Sequence, residues 1–588
     1  MAELLRVLKA VDDRYGRLDL IEASGLTAGH ERQQIATRFC AAFCQLICDP
    51  LTPFDAATFE RLAICHRWLE LMFSVSGYGS ANHLVGLLST EADGAKRVPM
   101  QNLARFLLAF SANAGMNLNL DEAFAADRAV TIAAALGFLA SRFAFTDGGH
   151  AFRERLLVWL PARLAEVKLG EMALQAIASP YMHCSYAISP RKHDVKAVMI
   201  AQMRRGLLEA GCPEFDPAQP PADGGPTIVV TTENFSDGHS IHRTHSRAVQ
   251  ALRGSFHVVG VLHPANVSPA IEACFDEIIL YDGQSFFGVV GNTAREILAR
   301  RPAMVLHLGV GMSSFVIGLA SLRLAPVQAA SFGHTATTHS PQIDAMILPQ
   351  DFVGDPALFS EQLVLLPPVA MPYALRDDVD FAEIGRRARA SRPAGGPIRI
   401  AVPASVMKLG PPLFDALASA AAMARTPIEY HIFALGCAGL GFEELKRRLA
   451  TYLPMAIAHE ELPFEAYIEQ LATCDFFVCP FPYGNMNSIV DAVMVGLPGV
   501  CLDGPEAHAH ADVAYFRRMG LPAELATSTL DAYVAAIVRL ADDPAWLAQC
   551  RTAARKLDRS HAFFQGDERL FAEAVRAMIQ TSERISPS

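Results

Sequence analysis

From Thr227 onward, short apolar β-branched runs alternate with longer amphipathic ones, and this alternation narrows the possible folds more than any other feature of the chain. The predicted strands are Thr227–Val230, Phe256–Leu262, Glu277–Tyr281, Met304–Leu308, Val327–Ser331 and Ala345–Leu348, with helices such as Ser240–Arg253 and Gln284–Arg300 between them. A parallel strand pair needs a crossover of this length, so the pattern predicts a doubly wound, mostly parallel sheet. A break at Arg376–Pro397 contains a charged stretch and then RPAGGP. A second strand set follows it: Ile398–Val402, Glu429–Ala434, Ala456–Ala458, Phe476–Cys479 and Val500–Leu502.

Upstream, segments such as Gln33–Cys48, Ala57–Phe73 and Leu103–Phe110 carry apolar residues at helical spacing. The stretch PEFDPAQPPADGGP then reads as a linker. The expected organisation is an all-α domain over 1–212, a linker over 213–226, and Rossmann-like domains over 227–390 and 391–588. A chain of 588 residues exceeds one core, which agrees with this division. Ligands of such sheets bind beyond the strands' carboxyl ends, and the cleft between two of them is a natural active site.

Composition excludes several roles. The formal charge is 50 − 61 = −11 with no dense Lys/Arg run, so the basic footprint of a nucleic-acid binder is missing. The opening MAELLRVLKAVDDRYGR has early acids and no apolar core, unlike a signal peptide. The longest apolar stretch, near Ala129–Ala140, is too short for a membrane span. Twelve cysteines lie scattered, and Cys40, Cys44 and Cys48 have no histidine nearby in sequence to complete a zinc set. Buried thiols in a reducing cytoplasm, and no metal, are the expectation.

The residues that carry chemistry cluster after strands. In FPYGNMNSIVDAVMVGLPGVCLDG, Phe481–Gly504, a glycine turn leads through Asn485–Asn487 into a helix with Asp491 one turn inside. Exposed helix N–H groups and an acid at that spacing suit a phosphate and a ribose, though an ordinary strand-to-helix turn shares the pattern. Only eight of the 50 cationic residues are lysine, and Lys408 is the only lysine between Lys196 and Lys446. Placed after a strand, it can neutralise a leaving diphosphate; the plainer alternative is a surface lysine, with Asp491 as a helix-dipole acid.

In TENFSDGHSIHRTHS, His239, His242 and His245 stand three apart, a spacing that spreads rings around a helix instead of converging them on a metal. His239, nearest the strand, suits a general base or a donor to phosphate, or simply a capping histidine. His334 and Thr335 in SFGHTATTHS line a sugar pocket or satisfy loop backbone. YMHCSY, with His183 and Tyr186, and KHDVK (192–196) are polar islands suited to an interdomain contact.

Taken in order, YMHCSY…KHDVK, HSI-x-RTHS, RLAPVQA…GHTATTHS, MKL, HIFALG and FPYGNMNSIVD…GLPGV make the chain resemble one family. These are the bacterial cytoplasmic N-glycosyltransferases that modify high-molecular-weight adhesins, family-41 enzymes related to O-GlcNAc transferase. The resemblance runs from Trp68 to Pro522. It implies a GT-B pair of Rossmann-like domains behind an α-helical domain. It also implies metal-independent, inverting transfer of glucose or galactose from a UDP-sugar to asparagine in Asn-X-Ser/Thr. UDP-hexose would be a substrate with no further cofactor, and the acceptor an adhesin or other cell-surface protein.

By resemblance, His239 is the essential cleft histidine, Lys408 the diphosphate lysine, Asn487 a donor-site asparagine and Asp491 the ribose aspartate. His183 and Tyr186 become acceptor-side candidates. Ser405 keeps a hydroxyl where the family has threonine, and Cys437 stands in the donor site where glutamine is expected. Asn234 and Ser236 replace expected histidines, and Ser179 replaces an acid. These departures keep two alternatives open: an O-linked or other-sugar transferase, and a non-catalytic member that binds UDP-sugar or peptide.

Overall fold

The computed structural model describes residues 1–18, 28–52, 54–92, 95–218, 225–390 and 395–585. The N-terminal third is built around the helix Arg128–Leu139, which Asp127 caps by accepting from the Val130 N–H. This is the apolar stretch noted in the sequence. It is buried by the helices Ala56–Ile64 and Asp147–Ala165 on either side. A Cβ at Gly137 would stand 2.2 Å from the Ala63 carbonyl oxygen, so only glycine allows that crossing.

The region is not purely α. Strands β1 (Thr90–Ala92) and β2 (Ala95–Arg97) form an antiparallel hairpin. Three residues per strand are too few to leave a readable alternation.

The first sheet has seven parallel strands: β3 (Thr227–Thr231), β4 (His257–Leu262), β5 (Glu277–Leu280), β6 (Met304–His307), β7 (Val327–Ser331), β8 (Ala345–Pro349) and β9 (Gln362–Leu366), in the order β5-β4-β3-β6-β7-β8-β9. The second has six, β10 (Ile398–Ser405), β11 (Ile428–Leu435), β12 (Ala456–His459), β13 (Phe476–Val478), β14 (Gly499–Leu502) and β15 (Ala526–Thr527), ordered β12-β11-β10-β13-β14-β15. Every strand read from the sequence is present. β9, a half-exposed edge strand reached through two short 3-10 turns and no α-helix, and the two-residue β15 were not predicted.

The expected boundaries move at two places. Helix Phe381–Ala390 packs on Asn487–Met494 and Phe464–Leu471 of the second sheet's domain, burying Phe381 and Ile384, so the first domain ends before it and not at 390. The last helix, Arg569–Ile585, leaves the second domain and lies on the helix Ser240–Leu252 and on β7 and β9 of the first. Phe571, Val575 and Ile579, four residues apart, form the face it buries. The linker read at 213–226 begins with Glu214 held by Arg204 and the Arg323 N–H; residues 219–224 lie outside the described residues.

The helical region docks on both sheets' domains. Its helix Asp194–Glu209 packs on Phe286–Ala299 and Ser314–Ala320 of the first. The helices Ala28–Cys48 and His66–Val75 pack on Gly439–Tyr452 of the second, where Arg32 pairs with Glu443 at 2.9 Å and Glu460 at 2.8 Å.

Candidate active site

Strand order reverses at β3/β6 in the first sheet and at β10/β13 in the second. At a reversal the two following loops diverge and leave a crevice at the carboxyl edge. Lys408 follows β10 and the Asn485–Asn487 turn follows β13, so topology alone brings them together across the second reversal. The Lys408 Nζ donates to the Gly484 carbonyl and approaches Asn485 Oδ1 at 3.5 Å. Ser405 ends β10 three residues before it, half-buried.

The turn itself is forced into shape. Met486 has φ +47° and ψ −93°, a conformation that costs a non-glycine residue roughly 1–3 kcal/mol. Asp512 compensates: its carboxylate accepts from the Asn485 N–H at 2.8 Å and the Met486 N–H at 2.9 Å. Gly484 is required sterically, since a Cβ there would lie 2.4 Å from Asp512 Oδ2 and 2.5 Å from the His508 carbonyl.

Burial raises the Asp512 carboxyl to about 6, against the backbone N–H bonds and Lys408 that favour its anion. Burial likewise draws Lys408 down to about 8, with Asp512 opposing it. Asp512→Asn removes a charge-assisted acceptor and is expected to weaken binding of UDP, the group that the resemblance implies here, about tenfold. Wild-type affinity should fall as pH drops through about 6 and the carboxyl protonates. Calorimetry from about pH 5 to pH 8 checks this; a flat profile would show that the Asp512 charge plays no part in that binding.

Tyr483, which the sequence reading passed over, joins all three regions. Its ring stacks on His508 (4.2 Å between centroids), meets Tyr186 of the helical region at 4.6 Å, faces His334 of the first sheet's domain at 6.3 Å, and carries the Lys408 Nζ 5.1 Å above it. His334 is buried with Nε2 3.1 Å from Ser185 Oγ, and burial drives it well below the usual histidine range. Thr335 reaches Met486 Sδ at 3.5 Å. The KHDVK island forms the interdomain contact expected of it: Lys192 and His193 both meet Glu506 at 3.1 Å, and Lys196 donates to the Thr337 carbonyl at 2.9 Å.

His239 caps the helix Ser240–Leu252, its Nδ1 accepting from the Ile241 N–H at 3.3 Å. That bond assigns the ring proton to Nε2. Burial, then His242, lower the ring to about 4, so it is neutral near pH 7. His239 therefore presents a hydrogen-bond donor, and of the two chemical roles open in the sequence the general base is not the one this tautomer offers. The neighbouring rings diverge: His242 lies against Phe235 and His245 turns inward to Ser331 Oγ at 3.0 Å.

Three expected site residues sit differently. Asp491 is not a free ribose acceptor here: its Oδ1 pairs with Arg243 Nη2 at 2.5 Å across the domain cleft, each side chain only 5% exposed. Lying one turn inside its helix, it faces the other domain and meets the cation one turn after His239. Cys437 is buried beside Gly441 and Phe143, and burial pushes its thiol up to about 12, so it stays a protonated thiol and not a thiolate. His183 is buried in the helical region, where burial and then Arg142 and Arg67 lower it to about 3. Asn487, by contrast, opens its helix and accepts from the Tyr373 hydroxyl at 2.7 Å.

Asp512 and His508 share one helix, Ala507–Arg518, at i, i+4. A lone acid and a histidine on one face of an alanine-rich helix were the available sequence signal.

Two proteins of Actinobacillus pleuropneumoniae, serotype 5b (strain L20) and serotype 7 (strain AP76), are each named UDP-glucose:protein N-beta-glucosyltransferase. Each is 31% identical to this chain, over 98% of it and 96% of its own length. The chain belongs to their family of glycosyltransferases. Residues 121–207 also match the family model described as HMW1 domain 2. Among solved structures, a lysine-to-methionine mutant of Thermobaculum terrenum O-GlcNAc transferase superposes with a TM-score of 0.61 at 16% identity, covering 99% of this chain and 98% of that one. At that identity the likeness speaks to fold, and the fold is GT-B with a helical N-terminal region.

Proposed function

We propose that the chain is an inverting transferase that moves a hexose, glucose or galactose, from UDP to the asparagine of Asn-X-Ser/Thr in a protein acceptor. One observation carries this reading: a buried lysine with a lowered pKa stands over a strained, glycine-dependent turn at the reversal point of the second sheet. In an inverting transfer the amide nitrogen attacks the anomeric carbon opposite UDP, the carbon–oxygen bond to UDP breaks with its electron pair going to the diphosphate, and the proton lost by the amide passes to solvent or to the released diphosphate. Charge develops on the departing diphosphate, where Lys408 and the positive end of the helix Asn487–Met494 offset it. His239 Nε2 adds a neutral donor.

Lys408 supplies the cation that a metal provides elsewhere, so the reading is metal-independent. An amide is a poor nucleophile, so orientation must contribute much of the rate. A cytoplasmic location and an adhesin or other cell-surface protein as acceptor follow from the resemblance. No helix among the described residues is long and apolar enough to cross a membrane.

Incubation with UDP-glucose, UDP-galactose and UDP-GlcNAc on an Asn-X-Thr peptide and its Gln-X-Thr control, read by mass and site mapping, tests it. Hexose on asparagine alone is the expected product. Modification confined to the Thr, or UDP binding without transfer to any acceptor, would replace this reading with one of the two alternatives.

A further inference from the structure

One helix, Ala507–Arg518, which follows β14, holds the backbone N–H groups of three successive residues in the turn after β13. The Gly484 N–H donates to the His508 carbonyl at 3.1 Å, and the Asn485 and Met486 N–H groups donate to Asp512. The His508 ring then stacks on Tyr483 beneath Lys408. Where this helix sits therefore decides where the turn sits.

The helix belongs to the second sheet's domain, yet groups outside that domain grip both of its ends. In its last turn Arg518 Nε donates to Asp351 Oδ2 at 2.8 Å, and just before its start the Pro505 carbonyl accepts from the Asp355 N–H at 2.7 Å. Both partners lie in the first sheet's domain. The helical region supplies a third hold: Lys192 Nζ stands 3.1 Å from Glu506 Oε1, and His193 Nε2 stands 3.1 Å from Glu506 Oε2.

Glu506 occupies the N-cap of the helix but makes no capping bond with its side chain. An acid there ordinarily accepts from the helix's own first N–H groups. Here the carboxylate turns to the helical region instead. Burial alone would raise the Glu506 carboxyl, but the His193 hydrogen bond and Lys192 hold it well below the usual carboxylate range. Burial, then Lys196, lowers the His193 ring to about 3, so the ring is neutral near pH 7 and donates from Nε2.

Lys192 also donates to the Ser185 and Ala187 carbonyls at 3.2 Å and 3.1 Å. These two carbonyls flank Tyr186, whose ring meets Tyr483 at 4.6 Å. One lysine thus fixes both the helix that shapes the turn and the ring that packs on it.

We infer that Glu506 and Lys192 are positioning residues for the donor: their ion pair lets the helical region hold the helix Ala507–Arg518, and through it the UDP-binding turn, in place. The inference rests on the reading that UDP occupies that turn. Both residues act through Asp512, His508 and Tyr483, without contact to the reacting atoms.

The test uses the full chain, titrated with UDP by calorimetry and assayed with UDP-glucose and an Asn-X-Thr peptide. Glu506→Gln and Lys192→Met are each expected to weaken UDP about tenfold and to raise the UDP-glucose KM alike. Each single variant leaves a buried charge without its partner and lowers the melting temperature, so the double variant is measured beside them. With both charges gone, its melting temperature should return toward the wild-type value while UDP binding stays weak. Recovery of UDP affinity together with stability would make the pair a joint between domains and overturn the inference. If the double variant fails to fold, Glu506→Asp decides: it keeps the charge, shortens the reach to Lys192 and His193, and should weaken UDP about threefold at a nearly unchanged melting temperature. UDP affinity equal to wild type in that variant overturns the inference and leaves the donor reading standing. A wild type that binds no UDP overturns both.

Discussion

Lys408→Met is expected to slow sugar transfer by about 10²–10³ while raising the melting temperature. Burial draws the Lys408 ammonium from its ordinary 10.5 to about 8, so the free fold holds this proton less tightly than the unfolded chain does. Between about pH 8 and pH 10.5 the unfolded state binds more protons, and stability rises with pH across that window. Below it the charged amine is a net cost to the fold, and an apolar side chain of similar length removes that cost.

For the reaction the same charge is needed. The donor diphosphate brings the counter-charge that the free site lacks, and losing one preorganised charge at a leaving group costs about 10²–10³ in kcat. In the wild type, kcat/KM for the donor should fall above about pH 8 as Lys408 deprotonates in the free enzyme. Transfer measured by mass, beside a thermal melt, separates the outcomes. Activity within tenfold of wild type would end the assignment. Lost activity with a lowered melting temperature would make Lys408 a structural residue.

Breaking the Arg243–Asp491 pair should destabilise the protein by about 3–5 kcal/mol, because removing either partner leaves a buried charge uncompensated. Burial alone would lower the Arg243 pKa, but Asp491 raises it well above the ordinary value, so the guanidinium stays charged in the working range. Arg243→Met and Asp491→Leu are each expected to shift the denaturation midpoint strongly, and the double variant to recover most of the loss. That double variant also decides what Asp491 does. If its stability returns while UDP-glucose affinity stays weak, Asp491 serves the donor as the resemblance implies. If affinity returns as well, its role is confined to joining the domains. A double variant as unstable as the sum of the singles would show that the two residues do not act as a pair.

Lys408 and Asn487 were legible in the sequence because both follow predicted strands, and residues just past a parallel strand reach the carboxyl edge whatever the remaining packing. His239 was legible for the same reason, yet its tautomer was not, since that depends on the Ile241 N–H at the helix start. Asp491 was legible as a residue but not as an ion pair, because Arg243 lies 248 positions away and nothing local links them. Cys437 occupies the expected position after β11, and only packing against Phe143 and Gly441 shows that its thiol is enclosed. Asp512 escaped notice because its function is to hold backbone N–H groups on another loop, and backbone leaves no trace in composition.

The sequence by itself determined the two parallel sheets, the helical region before them and the polar loops that follow the strands. Apolar periodicity and glycine turns are local properties that survive without knowledge of neighbours. The tertiary structure alone decided which side chains meet: Tyr483 joining three regions, Asp512 beneath the strained Met486, and Arg243 against Asp491. Each of these contacts joins separate segments of the chain, and its energy comes from burial and charge placement that exist only once the chain has folded.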